Sequence, residues 1–319
     1  MGNEERLSQK SKVKGQKAEG TGQKKAVSRR PVAMTVVLAL GWLASIDARQ
    51  ESQFAVGRDL AKEAAAAHKL AEERTPIPRM ANGKPNLSGS WRLSGGGATY
   101  SWEEHLGGFG IASEGPTLII DPSDGKLPYQ PWALEERERR RRPESAYEEN
   151  VAKCILPGMP RMMVYNFFIA QSSDKVTIFH GTHPATRIIR FDNRPPLPDN
   201  IRLWMGDPRG RWDGDTLVVE TTNLNGKGWA NLGGDIISDA AHIVERFRMI
   251  NASTMWWEAT VTDTKVYTRP WTMRFPAPHV KLGTQPEENE LDFEDSCHEG
   301  NVDLKHLKNL HDAASESRQ

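Results

Sequence analysis

The chain changes texture along its length. Arg58–Arg74 (RDLAKEAAAAHKLAEER) is Ala-rich with charges spread through it, a pattern that predicts a helix, and Thr75-Pro76-Ile77-Pro78 stops it. From Asn86 onward, short β-type runs alternate with Gly, Pro, Asn and Asp. They fall at Gly89–Leu93, Thr117–Ile120, Lys175–Phe179, Thr186–Phe191, Thr216–Thr222, Ala241–Ile250, Thr254–Thr262 and Trp271–Phe275. Asp213-Gly214 joins Arg211-Trp212 to Thr216–Thr222, and Asn251–Ser253 joins the next two runs, so these neighbours are expected to be antiparallel. One more helical stretch, Pro131–Arg142, ends at Pro143.

Many short strands and few helices predict an all-β sandwich or barrel. The alternation helps to choose. In Thr216–Glu220 and Ala241–Met249 polar and apolar residues alternate, yet neither face is wholly apolar: Glu220 shares a phase with Val218, and Glu245 with Ile243 and Phe247. A carboxylate on such a face points into a lumen or stands in solvent beside exposed hydrophobes, and a closed sheet with a binding lumen makes the first arrangement natural. Trp257, in the run Met255-Trp256-Trp257-Glu258, would supply part of a large apolar wall. The expectation is an antiparallel barrel over 86–301, with a helical arm and linker over 49–85, one or two peripheral helices, and a polar tail over 302–319.

Residues 1–30 carry nine basic and three acidic residues and almost nothing apolar. The apolar run Val32–Ala44 follows Arg29-Arg30, and small residues lead to Ala48, which predicts a secretory signal peptide and leader over 1–48. The run is shorter than the about 20 residues of a comfortable membrane span, so no permanent span is expected and the protein is placed in the periplasm or outside the cell. At 319 residues there is room for one large domain or two small ones. Equal counts of 42 basic and 42 acidic residues, and a net charge of −5 once 1–48 is removed, argue against a nucleic-acid partner. Two cysteines cannot build an all-cysteine zinc site or an iron–sulfur cluster. In an oxidising compartment Cys154 and Cys297 read most simply as one disulfide closing a long loop, worth about 2–4 kcal/mol, with a pair of buried thiols as the rival reading.

Two resemblances follow from particular residues. Gly89-Ser90-Trp91, on the first predicted strand, resembles the Gly-x-Trp signature by which lipocalins and related calycin barrels close one end. Trp204-Met205-Gly206-Asp207 and Arg209–Asn223 (RGRWDGDTLVVETTN), with His242–Phe247, Tyr267–Thr272 and Cys297–Asn301, resemble a large family of exported, uncharacterised bacterial proteins frequent in soil bacteria. That resemblance covers roughly residues 86–301 and implies export and architecture, without a reaction. The family pattern of a His followed four residues later by an Arg is matched by His183 and Arg187; the sequence departs from it with Pro184 in place of an acid, and with a shorter, less acidic segment before Arg269.

Ionisable groups gather in type at His180/His183, Asp207/Arg209, His242/Glu245 and His298/Glu299. In an apolar cavity, His183, His242, Glu245 and His298 would serve as proton-transfer groups, because burial moves such groups toward neutrality. Arg187, Asp207, Arg209, Glu220, Asn223, Trp257 and Glu299 are the candidate ligand-binding residues, with arginine as the bidentate clamp. Structural readings stand beside these. His242 and Glu245, three apart in a strand, lie on opposite faces. Asp207 and Asp213–Asp215 sit at turns where carboxylates cap backbone NH groups, and Arg139–Arg142 reads as a solvated helix face. No HExxH spacing, Gly-x-Ser-x-Gly elbow or phosphate-binding glycine pattern occurs, so neither metal nor cofactor is expected. Two functions stay open: a barrel holding a small, mostly apolar molecule, and a cofactor-independent acid–base enzyme such as a hydratase, isomerase or cyclase.

Overall fold

The computed structural model describes residues 60–92, 98–105, 115–181, 183 and 185–279, all within the compact unit Arg49–Gln319. The predicted leader over 1–48, Gly95–Gly97, Gly107-Gly108, Cys297, His298, Glu299 and residues 302–319 lie outside the described residues. The helices are α1 (Leu60–Glu72) and α2 (Pro131–Arg140). The strands are β1 (Gly89–Trp91), β2 (Ile119–Asp121), β3 (Phe167–Gln171), β4 (Lys175–His180), β5 (Ala185–Arg190), β6 (Asp207–Asp213), β7 (Thr216–Thr222), β8 (His242–Met249), β9 (Thr254–Thr262) and β10 (Trp271–Pro278).

All ten strands belong to one curled sheet, a half-barrel, in the order β1-β3-β4-β5-β6-β7-β8-β9-β10-β2. The predominance of β structure matches the expectation, but the wholly antiparallel sheet does not. β5 and β6 are parallel, touching where Arg190 lies opposite Arg209. The cause is the connection over 191–206, where Pro195, Pro196 and Pro198 cannot form a hairpin ladder and the chain runs back before β6 starts.

Strand β1 gives the curl its geometry. One of its edges pairs with β3, while Trp91 lies opposite His279 and the Arg92 N–H donates to the Pro278 carbonyl at 3.2 Å. Gly89 has φ +139°, and a Cβ there would run into the His279 ring, so a side chain is excluded twice over. Trp91 is fully buried, its Nε1 donating to the Leu87 carbonyl at 2.9 Å.

The inner face is set by alternation. Leu217, Val219 and Thr221 of β7, and Ile243, Glu245 and Phe247 of β8, are all fully buried. Their out-of-phase neighbours Glu220, Arg246 and Arg248 reach the outer surface. The phase ambiguity of the two carboxylates is thereby resolved in opposite senses, Glu245 inward and Glu220 outward. Trp257, Phe275, Met273 and Trp271 extend the buried cluster across β9 and β10, each large side chain contributing about 1.5–3 kcal/mol of burial. Gly210 keeps β6 thin on that side: a Cβ there would sit 2.7 Å from both Ile189 and Phe191.

α1 lies against the β8–β9 turn, where Asn251 Nδ2 donates to the carbonyls of Leu70 and Glu73 at 2.7 and 3.1 Å and so caps the helix end. α2 is tied down by one side chain of its arginine-rich run. Arg137 is buried, its Nη2 donating to Glu103 at 2.8 Å and its Nε lying 2.7 Å from Asp235. Arg139 stays at the surface, shared by Glu136 and Glu148, and holds the Glu136 carboxyl down to about 2. No described helix is long and apolar enough to cross a membrane.

Candidate functional site

The curl of the sheet brings one charged side chain from β5 across β6 to β7 and β8. Arg187 sits on the inner face opposite Ile178, and near it the neighbouring strand β6 places Pro208 and Gly210 in the inward phase, short residues that leave room for its long stem. Its guanidinium grips Glu245 with both terminal nitrogens, Nη1 donating to Oε1 at 2.9 Å and Nη2 to Oε2, and Nη2 also donates to Thr221 Oγ1 at 2.6 Å. Trp257 Nε1 donates to Glu245 Oε1 at 3.1 Å. Both side chains of the ion pair are fully buried. This pairing satisfies most of their valences, as a pair removed from water requires.

Most, but not all. The Nε of Arg187 has no hydrogen-bond partner among the described residues, and neither ring nitrogen of His180 has one. His180 ends β4 opposite Ala185, diagonal to Arg187 on the same face, and is 4% exposed. Burial, with the charge of Arg187 adding, pushes its imidazole down to about 3. His180 is therefore neutral at any ordinary pH and presents one N–H donor and one bare nitrogen to the interior.

That shift has a direction that can be measured. The unfolded histidine titrates near 6.5, so above about pH 6.5 both states are neutral and the stability is complete. Below it only the unfolded chain takes the proton, and stability falls by up to about 1.4 kcal/mol per pH unit down to about pH 3. Urea unfolding at pH 6.5 and 4.5 is expected to show the wild type losing about 2–3 kcal/mol more than His180→Leu does. Equal losses in the two proteins would mean that the imidazole titrates freely in the folded state.

The other predicted residues are dispersed. His242 is on the outer face, its side chain 43% exposed and its Nε2 3.8 Å from Glu220, which also lies 3.5 Å from Arg211. His183, at the β4–β5 turn with φ +53°, stands edge-on to Tyr165. Glu245 is inside, so these three do not surround one reacting atom; His298 and Glu299 lie outside the described residues. Asp207, Arg209 and Asn223, predicted as ligand-binding residues, hold the connection between β5 and β6. Asp207 Oδ2 accepts the Leu197 N–H at 3.2 Å, and Arg209 Nη1 donates to the Arg194 carbonyl at 2.6 Å. Asn223 Nδ2 donates to the carbonyls of Leu197, Pro198 and Ile201. Their physical reason is local: prolines leave a segment rich in unpaired carbonyls, and polar side chains from adjoining strands satisfy them.

Cys154 closes a short 3-10 turn at φ +59°. No cysteine is free among the described residues, and Cys297 lies outside them. Nor does any cluster of three or more His, Cys, Asp or Glu side chains among the described residues suit a metal ion.

The sequence reading grouped His180 with His183 without choosing it as a site residue, and passed over Thr221. The available signal was phase: His180 shares a face with Val176 and Ile178, and Thr221 with Leu217 and Val219, each being the one polar residue on an otherwise apolar face. No family model matches the chain, and no curated protein or solved structure matches it.

Proposed function

We propose that this protein binds a small, mostly apolar molecule inside the curled sheet, its polar end held between His180 and the Nε–H of Arg187. The observation that carries the reading is the set of buried polar atoms left without partners on one apolar face. Each such atom costs about 1–3 kcal/mol when unsatisfied, and folded proteins rarely leave several together. One oxygen on a ligand accepts from both. An uncharged carbonyl or hydroxyl suits the place better than a carboxylate, since Glu245 already neutralises Arg187 and a second carboxylate would bury a net charge. Trp91, Phe167 and Ile178 around His180 supply the apolar contact.

The same proposal takes the protein to be exported, on the strength of its basic leader and short apolar run, and to be related to the lipocalin-like barrels and to the exported bacterial family that its motifs resemble. It also takes Cys154 and Cys297 to be joined. The acid–base enzyme reading is not advanced, because His183, His242 and Glu245 occupy a turn, the outer face and the interior.

Native mass spectrometry of the full chain purified from cells that make it is expected to show a retained small molecule. The denatured chain should be lighter by two hydrogens until reduced. For the purified protein, tryptophan fluorescence titrated with dodecanol and with dodecanoate should show the alcohol binding about ten-fold more tightly, and His180→Leu weakening it by a similar factor. Absence of a retained molecule together with dodecanol binding that ignores the His180 substitution would sink the reading.

A further inference from the structure

The outer face of the same sheet carries a cavity that the interior reading does not use. It has a volume of about 270 Å³ and is lined by Thr216, Arg246, Arg248, Trp256, Glu258 and Arg274. Register explains the assembly: Arg246, Glu258 and Arg274 stand side by side on β8, β9 and β10, and Arg248 stands beside Trp256 in the adjacent row. Neighbouring strands are about 4.8 Å apart and same-face residues about 6.7 Å apart along a strand, so three guanidinium groups rim one depression about 10 Å across.

These arginines are poorly neutralised. Arg248 and Arg274 make no ion pair among the described residues, and Arg274 lies over the Trp256 ring at 5.0 Å. Arg246 has only a loose contact with Asp213 at 4.0 Å. Glu258, although flanked by two arginines, forms no ion pair within 4 Å among the described residues, so the three arginines and one carboxylate of the lining leave two net positive charges. Across the row Arg246, Glu258 and Arg274 the charge signs alternate, as a sheet face requires; in the next row Arg248 has Trp256 beside it and no acid.

We infer that this outer depression is a binding site for a small polycarboxylate, distinct from the interior site. Guanidinium forks pair bidentately with carboxylates. Three forks around a rim fit a molecule with two or three carboxylates on a compact frame; the half-buried Trp256 indole, held by Arg274 at 5.0 Å and by the His68 ring at 5.8 Å, lines one side of the depression. Glu258 sets the specificity: it rejects a carboxylate placed between Arg246 and Arg274, so the ligand's acid groups must sit toward Arg248 and the outer rim.

The test is calorimetric titration of the full chain with citrate, with sulfate at matched ionic strength as the second arm. Citrate is expected to bind, Arg248→Ala and Arg274→Ala each to weaken it about ten-fold, and Glu258→Gln to tighten it. All three positions are at the surface, and circular dichroism confirms that each variant is folded. No citrate binding up to about 10 mM, binding unchanged in the arginine variants, or sulfate binding as tightly as citrate would each overturn the inference. The chain's own acidic run supplies the last arm. Replacing Glu287, Glu288 and Glu290 with Gln should leave the citrate affinity unchanged; a gain would mean that this run already fills the depression, which also overturns it.

Discussion

Glu245→Ala is expected to destabilise the protein by about 3–5 kcal/mol, lowering the thermal midpoint by about 10 °C. The loss is not the attraction of one ion pair. Removing the carboxylate strands the Arg187 guanidinium in a fully buried site, with Thr221 its remaining partner, and leaves the Trp257 N–H without an acceptor. The control is the double substitution Arg187→Met with Glu245→Leu, which removes both charges and keeps the volume. It should recover most of the lost stability, since a buried pair replaced by apolar residues of similar size is often neutral. Urea denaturation of the wild type, Arg187→Met, Glu245→Leu and the double variant gives the coupling directly. If the double variant were no more stable than Glu245→Ala, the damage would come from lost packing rather than from an orphaned charge.

Asp235→Ala should cost a similar amount, about 3–5 kcal/mol, by a related route at another place in the fold. Asp235 is fully buried and makes four contacts with three residues: Arg137 at 2.7 Å, the Tyr129 hydroxyl at 2.8 Å, Asn231 Nδ2 at 2.6 Å, and the Asn231 side-chain oxygen, which accepts the Asp235 N–H at 3.1 Å. The last of these uses backbone and survives the substitution; the other three are lost together. Arg137 then keeps only Glu103, and α2 loses its main attachment. Burial, with Asp235 adding, holds the Tyr129 hydroxyl well above its ordinary range, so Asp235→Asn should retain more of the fold than Asp235→Ala. Hydrogen exchange over Pro131–Arg140 provides the second readout: protection there should fall further than in β7–β9. A uniform fall across the sheet would show that Asp235 supports the whole domain rather than the helix.

Both predictions concern residues whose significance was unevenly legible in sequence. The tight turns Asp213-Gly214 and Asn251–Ser253 fix local chain reversal, so β6–β7 and β8–β9 were readable as antiparallel hairpins. β3 was not singled out. It follows the buried 3-10 turn Arg161–Val164 after only two residues, so the apolar texture runs from one into the other without a Gly or Pro between them. The basic run of α2 shows the same limit: periodicity marks a charged surface helix, yet Arg137 turns inward because Glu103 and Asp235, far away in sequence, form a buried acceptor site there.

What the sequence by itself determined is local. Alternation, turn residues and proline placement specify eight of the ten described strands and both described helices to within a few residues, because each depends on the backbone and its immediate neighbours. The tertiary structure alone decided which face of each strand is inside, and therefore that Glu245 meets Arg187 while Glu220 meets Arg211 and His242 at the surface. A period of two gives two phases without naming the buried one; the choice is made by the curl of the whole sheet, which must bury Trp91, Trp257 and Trp271 together. The site arises from contacts between strands that are distant in the chain, and no spacing within any one strand encodes them.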